Sequence, residues 1–269
     1  MCIRDSLKPD LALIHGWGLG HTVWQPVLPL LSRRFNVHIL ALPGYATPEA
    51  HANNQPAQDL IQAATSFMQA AEALVDTLPE NCIVCGWSLG GMLALQAALL
   101  AAQRQKALKG LILIGSTPSF TQRADWPHAQ PPTLLDAFNN ALAKDPTNTL
   151  QRFIALLNQG DTQARSLGRA LFKQLQATSL PDTATLLIGL GWLRDVDLRQ
   201  QVAAIKMPTL LVHGEHDALM PLPAARWLHE QLPDSRLEVF AGAAHAPFLN
   251  DPERFATLTG DFFHAAATD

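Results

Sequence analysis

No stretch of this chain stays apolar over the roughly 20 residues that a membrane-spanning helix needs. Its first ten residues, Met1 to Asp10, hold no apolar core of a secretory leader. These two absences make a cytoplasmic protein with no membrane segment the expectation. Charge of one sign is scarce as well: the formal net charge is −4 over 269 residues, which excludes a molecule built as a whole to hold nucleic acid. Cysteine is sparse, with Cys2, Cys82 and Cys85 only. The last two form a C-x-x-C, a spacing used in redox and zinc chemistry. Their setting, Cys82-Ile83-Val84-Cys85, reads as an apolar strand, on which residues three apart point to opposite faces. Both are expected to be buried small apolar side chains. No internal repeat or low-complexity tract is present, and neither a metal nor an organic cofactor is expected.

What is present is apolar sequence, 48% of the chain, enough for one large core. Short apolar runs recur at Leu11–Ile14, Val37–Leu42, Ile83–Cys85, Leu111–Ile114, Thr209–Val212 and Leu237–Phe240. Most are apolar throughout, as strands buried on both faces of a parallel sheet are. Helical spacing fills the stretches Thr22–Arg33, Gln58–Leu78, Leu89–Gln103, Pro221–Gln231 and Pro252–His264. Alternation of this kind predicts an α/β fold with helices on both sides of the sheet. Residues 117–192 break it, showing four helical pieces cut by prolines and turns. They are expected to form a lid inserted into a core made of residues 7–116 and 193–269. Met1–Ser6 matches no element and is expected to be a non-native or disordered tail.

Gly86-Trp87-Ser88-Leu89-Gly90 fits the pattern G-x-S-x-G. The pattern alone is weak, but here an apolar strand runs into it and an Ala/Leu-rich helix leaves it. That strand–turn–helix setting lifts a serine hydroxyl out of the sheet's carboxyl edge. The strained turn exposes Ser88, and the helix start aims free N–H groups at the same spot. Ser88 is therefore the candidate nucleophile and the Leu89 N–H a candidate oxyanion donor.

A serine nucleophile needs a base, and the base needs an acid to fix its tautomer. His245 lies in a loop of small residues, Gly242 to Phe248, between the last strand and the last helix. Asp217 follows the strand Thr209–Val212; Glu215 and His216 are its rivals in the same turn. The other loop that could carry an acid, Gly115 to Pro118, has no carboxylate. His15-Gly16-Trp17-Gly18 follows the first strand and would bring the Trp17 N–H as second oxyanion donor, with the Trp17 indole walling the acyl pocket. His15 itself reads as a structural loop histidine.

From Leu11 onward the chain resembles the α/β-hydrolase family. The runs HGWG at His15, GWSLGG at Gly86, GSTPSFTQRADWP at Gly115, DVDLRQ at Asp195 and AGAAHAPF at Ala241 narrow the resemblance. They are similar to a branch that hydrolyses the methyl ester of a seven-carbon diacid carried on acyl carrier protein, in biotin synthesis. Trp87, where other members often carry His or Gln, belongs to that pattern. The resemblance implies a narrow apolar channel lined by Phe153, Ile154, Ala155, Leu156 and Leu157, and substrate contacts from Trp17, Ser88, Leu89 and His245. It also implies acyl carrier protein as partner; a monomer that binds neither nucleic acid nor membrane is expected. The basic residues Arg152, Arg165, Arg169 and Lys173 would contact the carrier; the last three recur every four residues and share a helix face.

The chain departs from the family where Ala41 replaces an acidic residue before Leu42-Pro43-Gly44, and where Ala46 replaces a glycine. The family's opening β-hairpin also looks absent, which would leave a sheet edge exposed. The triad also fits a general carboxylesterase, a lactonase or a carbon–carbon bond hydrolase. A non-catalytic ligand-binding protein on the same scaffold is the remaining alternative.

Overall fold

A computed structural model describes residues 8–46, 62 and 64–265; the expected tail, and Cys2 within it, lie outside these. Six strands form one sheet: β1 (Asp10–Ile14), β2 (Asn36–Leu40), β3 (Cys82–Trp87), β4 (Leu108–Ile114), β5 (Thr209–Gly214) and β6 (Ser235–Phe240). All pair in parallel, in the order β2-β1-β3-β4-β5-β6. Every residue of β3 and β5 is buried, whereas β2 and β6, at the two edges, are mostly half-buried. This is the burial that central parallel strands require, and it explains why the central runs are apolar without alternation. Cys82 and Cys85 are both buried within β3, as expected; burial pushes the Cys82 thiol up to about 12.

The strand order reverses between β1 and β3. The chain leaves β1 toward β2 and returns on the other side of β1 as β3. The loops that follow β1 and β3 therefore splay apart and open a crevice at the carboxyl edge of the sheet.

The helices are α1 (Leu28–Leu31), α2 (Phe67–Thr77), α3 (Leu89–Gln103), α4 (Pro132–Leu142), α5 (Pro146–Leu157), α6 (Ala164–Ala177), α7 (Thr183–Asp195), α8 (Leu222–Gln231), α9 (Pro247–Asn250) and α10 (Pro252–Ala265). Helix α3 is buried from Leu89 through Ala101. A helix enclosed on all sides needs no polar stripe, hence its Ala/Leu composition. Two expected helices differ from the structure. Thr22–Arg33 is split into a 3-10 turn at His21–Trp24 and the short α1, because Pro26 and Pro29 carry no N–H to continue a helical ladder. Helix α2 starts at Phe67, where the Ser66 hydroxyl caps it by accepting from the Gln69 N–H at 3.2 Å; most of the expected Gln58–Ser66 portion lies outside the described residues.

Helices α4 to α7 follow one another between β4 and β5. Helix α7 runs on to Asp195, so a boundary at residue 192 falls inside its last turn. The foot of this insertion is fastened where two of the sequence runs singled out above meet. The Trp126 indole donates to the Ser119 carbonyl at 2.8 Å. The Arg199 guanidinium stacks 5.4 Å from the Trp126 ring and pairs with Asp125 at 3.0 Å and Asp197 at 2.8 Å.

Candidate active site

Strand β3 delivers Ser88 to the crevice in a backbone conformation that L-residues seldom adopt, φ 58° and ψ −122°. Such strain costs about 1–3 kcal/mol and persists only where the surroundings hold it. Here the Ser88 N–H donates to the Ile114 carbonyl at 2.9 Å, and the Ser116 hydroxyl donates to the Ser88 carbonyl at 3.1 Å. A Cβ on Gly90 would collide with the carbonyl oxygens of Ile14 and His15, so only glycine lets α3 start this close to β1.

Three segments distant in sequence meet at Ser88. Its hydroxyl lies 2.8 Å from His245 Nε2, and His245 Nδ1 lies 2.8 Å from Asp217 Oδ2. The carboxylate only accepts, so the Nδ1–H donates to it and the Nε2 lone pair faces the hydroxyl. The other carboxylate oxygen accepts from the Leu219 and Met220 N–H groups at 2.9 and 2.8 Å. All three side chains are buried. Burial pushes the Asp217 carboxyl up, but the His245 imidazole, the nearby His213 and the Met220 N–H outweigh it and hold Asp217 below the usual carboxylate range. A carboxylate that stays ionised can orient the imidazole beside it and stabilise the imidazolium formed on proton transfer.

The rivals of Asp217 are turned elsewhere. Glu215 accepts from the Gly242 N–H at 3.0 Å, and His216 is about half exposed, 3.8 Å from Glu215. The loop without a carboxylate packs directly on the pair: a Cβ on Gly115 would stand 2.8 Å from the His245 carbonyl oxygen and 3.2 Å from Asp217 Oδ2. One neighbour carries no obvious sequence signal. His213, in β5, donates from Nε2 to the Met220 carbonyl at 2.6 Å and lies 3.5 Å from Asp217 Oδ2; burial lowers its pKa. Trp87 donates its indole N–H to the His245 carbonyl at 2.8 Å, which gives the tryptophan of the elbow a physical role.

The loop after β1 reaches the same crevice, where a Cβ on Gly16 would stand 3.0 Å from the Ser88 Cβ. It is held from behind. The Tyr45 hydroxyl accepts from the Gly18 N–H at 2.8 Å, and the Gln62 amide bridges Leu42 and Gly44, each at 2.9 Å, so the segment carrying the Ala41 and Ala46 departures is braced. His15 is wholly buried; it donates from Nδ1 to the Gly16 carbonyl at 2.7 Å and accepts at Nε2 from the Leu42 N–H at 3.1 Å. Both nitrogens are occupied, which leaves it structural.

Helices of the insertion meet this loop at Trp17. The Trp17 indole donates to the Leu186 carbonyl of α7 at 2.9 Å, and its ring meets Phe153 of α5 edge-on at 4.9 Å. The five expected channel residues do not stay together, since consecutive positions on α5 wind around the helix. Phe153 faces Trp17; Ile154 and Ala155 line an outer groove; Leu156 is half-buried; and Leu157 offers its carbonyl to the His245 N–H at 3.2 Å. That groove, about 380 Å³ between α5 and α6, is edged by Arg165 and Arg169 over Ile154, Ala155 and Phe172. Arg152, Arg165, Arg169 and Lys173 are all exposed. Among the described residues, no cluster of His, Cys, Asp or Glu is placed to hold a metal ion, and no helix is long and apolar enough to cross a membrane.

The fold is that of a known class: residues 11–258 match the alpha/beta hydrolase family model, and the chain belongs to that family. Its relatives include a pimeloyl-acyl-carrier-protein methyl ester esterase of Nitrosomonas europaea, 40% identical over 93% of each chain. A protein of the same name from Aromatoleum aromaticum is 40% identical over 94% of this chain and 98% of that one. Among solved structures, an esterase from Exiguobacterium antarcticum superposes with a TM-score of 0.79 at 22% identity, covering 96% of this chain and 92% of that one. An enol-lactonase from Burkholderia xenovorans gives 0.76 at 19% identity, over 97% and 93%.

Proposed function

We propose that this protein is a serine carboxylesterase that hydrolyses the methyl ester of pimeloyl-acyl carrier protein to the free distal carboxylate and methanol, in biotin synthesis. The hydrogen-bonded series Ser88–His245–Asp217 carries the chemistry; the esterase relatives, similar over nearly the full chain, carry the choice of substrate.

His245 Nε2 takes the hydroxyl proton as Ser88 Oγ attacks the ester carbonyl. The Leu89 and Trp17 N–H groups hold the developing oxyanion, each worth ~3 kcal/mol of barrier. Asp217 keeps the imidazole oriented throughout. The imidazolium then protonates the departing methanol. Water enters, gives its proton to His245, and hydrolyses the acyl-enzyme by the same route. The 117–192 insertion, with the end of α7, acts as the lid over a core of residues 7–116 and 193–269. The cationic side chains Arg152, Arg165, Arg169 and Lys173 receive the acidic carrier protein, which presents its acyl arm to the covered crevice. The protein acts as a monomer in the cytoplasm.

The test is methanol release from the carrier-bound methyl ester, compared with hydrolysis of short p-nitrophenyl esters. The carrier-bound ester should be strongly preferred in kcat/KM, and Ser88→Ala should remove both activities while leaving the thermal unfolding curve in place. Turnover retained in that variant sinks the nucleophile assignment, and indifference to the carrier sinks the substrate.

A further inference from the structure

One buried carboxylate lies outside the triad and yet touches the loop that carries its base. Asp161 sits in the turn between α5 and α6 and is buried. Its Oδ2 accepts from the Ala244 N–H at 2.8 Å, one residue before His245. Its Oδ1 accepts from the Gln163 N–H at 2.7 Å and from the Asn250 side-chain amide at 2.8 Å. Bonds to an ionised acceptor are stronger than neutral ones, and a carboxylate held by several donors is costly to replace.

The rest of the turn repeats the attachment. The Thr162 N–H donates to the Gly242 carbonyl at 2.9 Å, and the Gln163 side-chain amide donates to the Asn250 carbonyl at 2.8 Å. The His245 N–H donates to the Leu157 carbonyl at 3.2 Å. The run Gly242–Asn250 is thus gripped before, at and after its histidine by residues 157–163. The Trp87 indole also holds the His245 carbonyl.

We propose that Asp161 is a positioning residue for the base: it makes the α5–α6 turn part of the frame that sets the His245 imidazole against Ser88. The proposal rests on His245 being the base. It assigns to a covering helix turn a duty that the covering of substrate does not require.

The test uses Asp161→Asn in the full chain, with a short p-nitrophenyl ester that needs no carrier docking, at a temperature well below the variant's melting. Asparagine keeps the shape but sets an N–H donor against either the Ala244 N–H or the Gln163 N–H. A base displaced by a fraction of an ångström should cost about 10- to 100-fold in kcat, with KM held within about twofold. The downfield proton resonance of the His245 Nδ1–H should broaden or move in the same variant. Asn250→Ala, which removes one donor and keeps the carboxylate, should lower kcat in the same direction by a smaller factor. Wild-type kcat and an unmoved resonance in folded Asp161→Asn, or in Asn250→Ala should the first variant not fold, overturn the proposal and leave Asp161 a stability element. His245→Ala, run alongside, separates the two readings. Turnover surviving there removes the base itself, whereas its loss there without slowing in Asp161→Asn removes only the role of Asp161.

Discussion

Acid should destabilise this protein through a histidine that takes no part in the chemistry, and the size of the effect follows from its surroundings. His15 is fully buried at the end of β1. Burial, the larger influence, pushes its pKa from 6.5 down to about 4, against the bond to the Gly16 carbonyl, which acts the other way. The hydrogen bonds say why the charged form is refused: Nε2 accepts from the Leu42 N–H at 3.1 Å, and a proton there would set donor against donor. The unfolded chain takes up this proton near pH 6.5, the folded chain only near 4. Between those values the unfolded state binds more protons, so stability is present above 6.5 and lost as the pH falls toward 4. The gap corresponds to ~3 kcal/mol in full, of which about 2 kcal/mol is lost by pH 5. Against a typical stability of about 5–15 kcal/mol that is a large share. Urea unfolding from pH 7.5 to 4.5 should show it in the wild type. In His15→Gln, whose Oε1 can accept from Leu42 without titrating, the curve should be flatter by that amount. His213, whose pKa burial also lowers, titrates in the same direction in both proteins and cancels in the difference. The same acid slope in wild type and variant would refute the reasoning.

Further outcomes follow from the site. Trp87→Phe removes the donor to the His245 carbonyl and leaves a buried acceptor unpaired, so urea unfolding should report a loss of about 1–3 kcal/mol, and kcat on short esters should fall. The double charge reversal Arg165→Glu with Arg169→Glu should raise KM for the carrier-bound ester and leave p-nitrophenyl acetate turnover near wild type. Added salt should narrow the same gap in the wild type, because exposed charges are screened.

The sheet was legible because central parallel strands must be apolar on both faces, and the six runs singled out correspond to β1 to β6 with ends moved by a few residues. The elbow was legible because its glycines, serine and flanking elements are contiguous. Asp217, Glu215 and His216 share one turn in the sequence, and the structure places Asp217, not its rivals, against His245. Pro26 and Pro29 break the helix expected across them. The five consecutive channel positions expected on α5 cannot share one face, because helical winding separates them. Asp161 has no local signal, since its partner Ala244 is 83 positions away and nothing nearby in sequence marks a carboxylate that will accept from a distant loop. Trp87 stands out as part of a pattern, but its bond to residue 245 spans 158 positions and is equally invisible.

The grip of residues 157–163 on the histidine loop bears on how such enzymes can be rebuilt. Substrate range is commonly sought by exchanging the segment between two strands while keeping the sheet. Here that exchange would not be modular. A foreign segment would arrive without the acceptors now offered to the N–H groups of Ala244 and His245, and the recipient's histidine loop would lose those anchors. Grafts into this scaffold need a carboxylate restored at the junction before any new pocket is judged by its turnover.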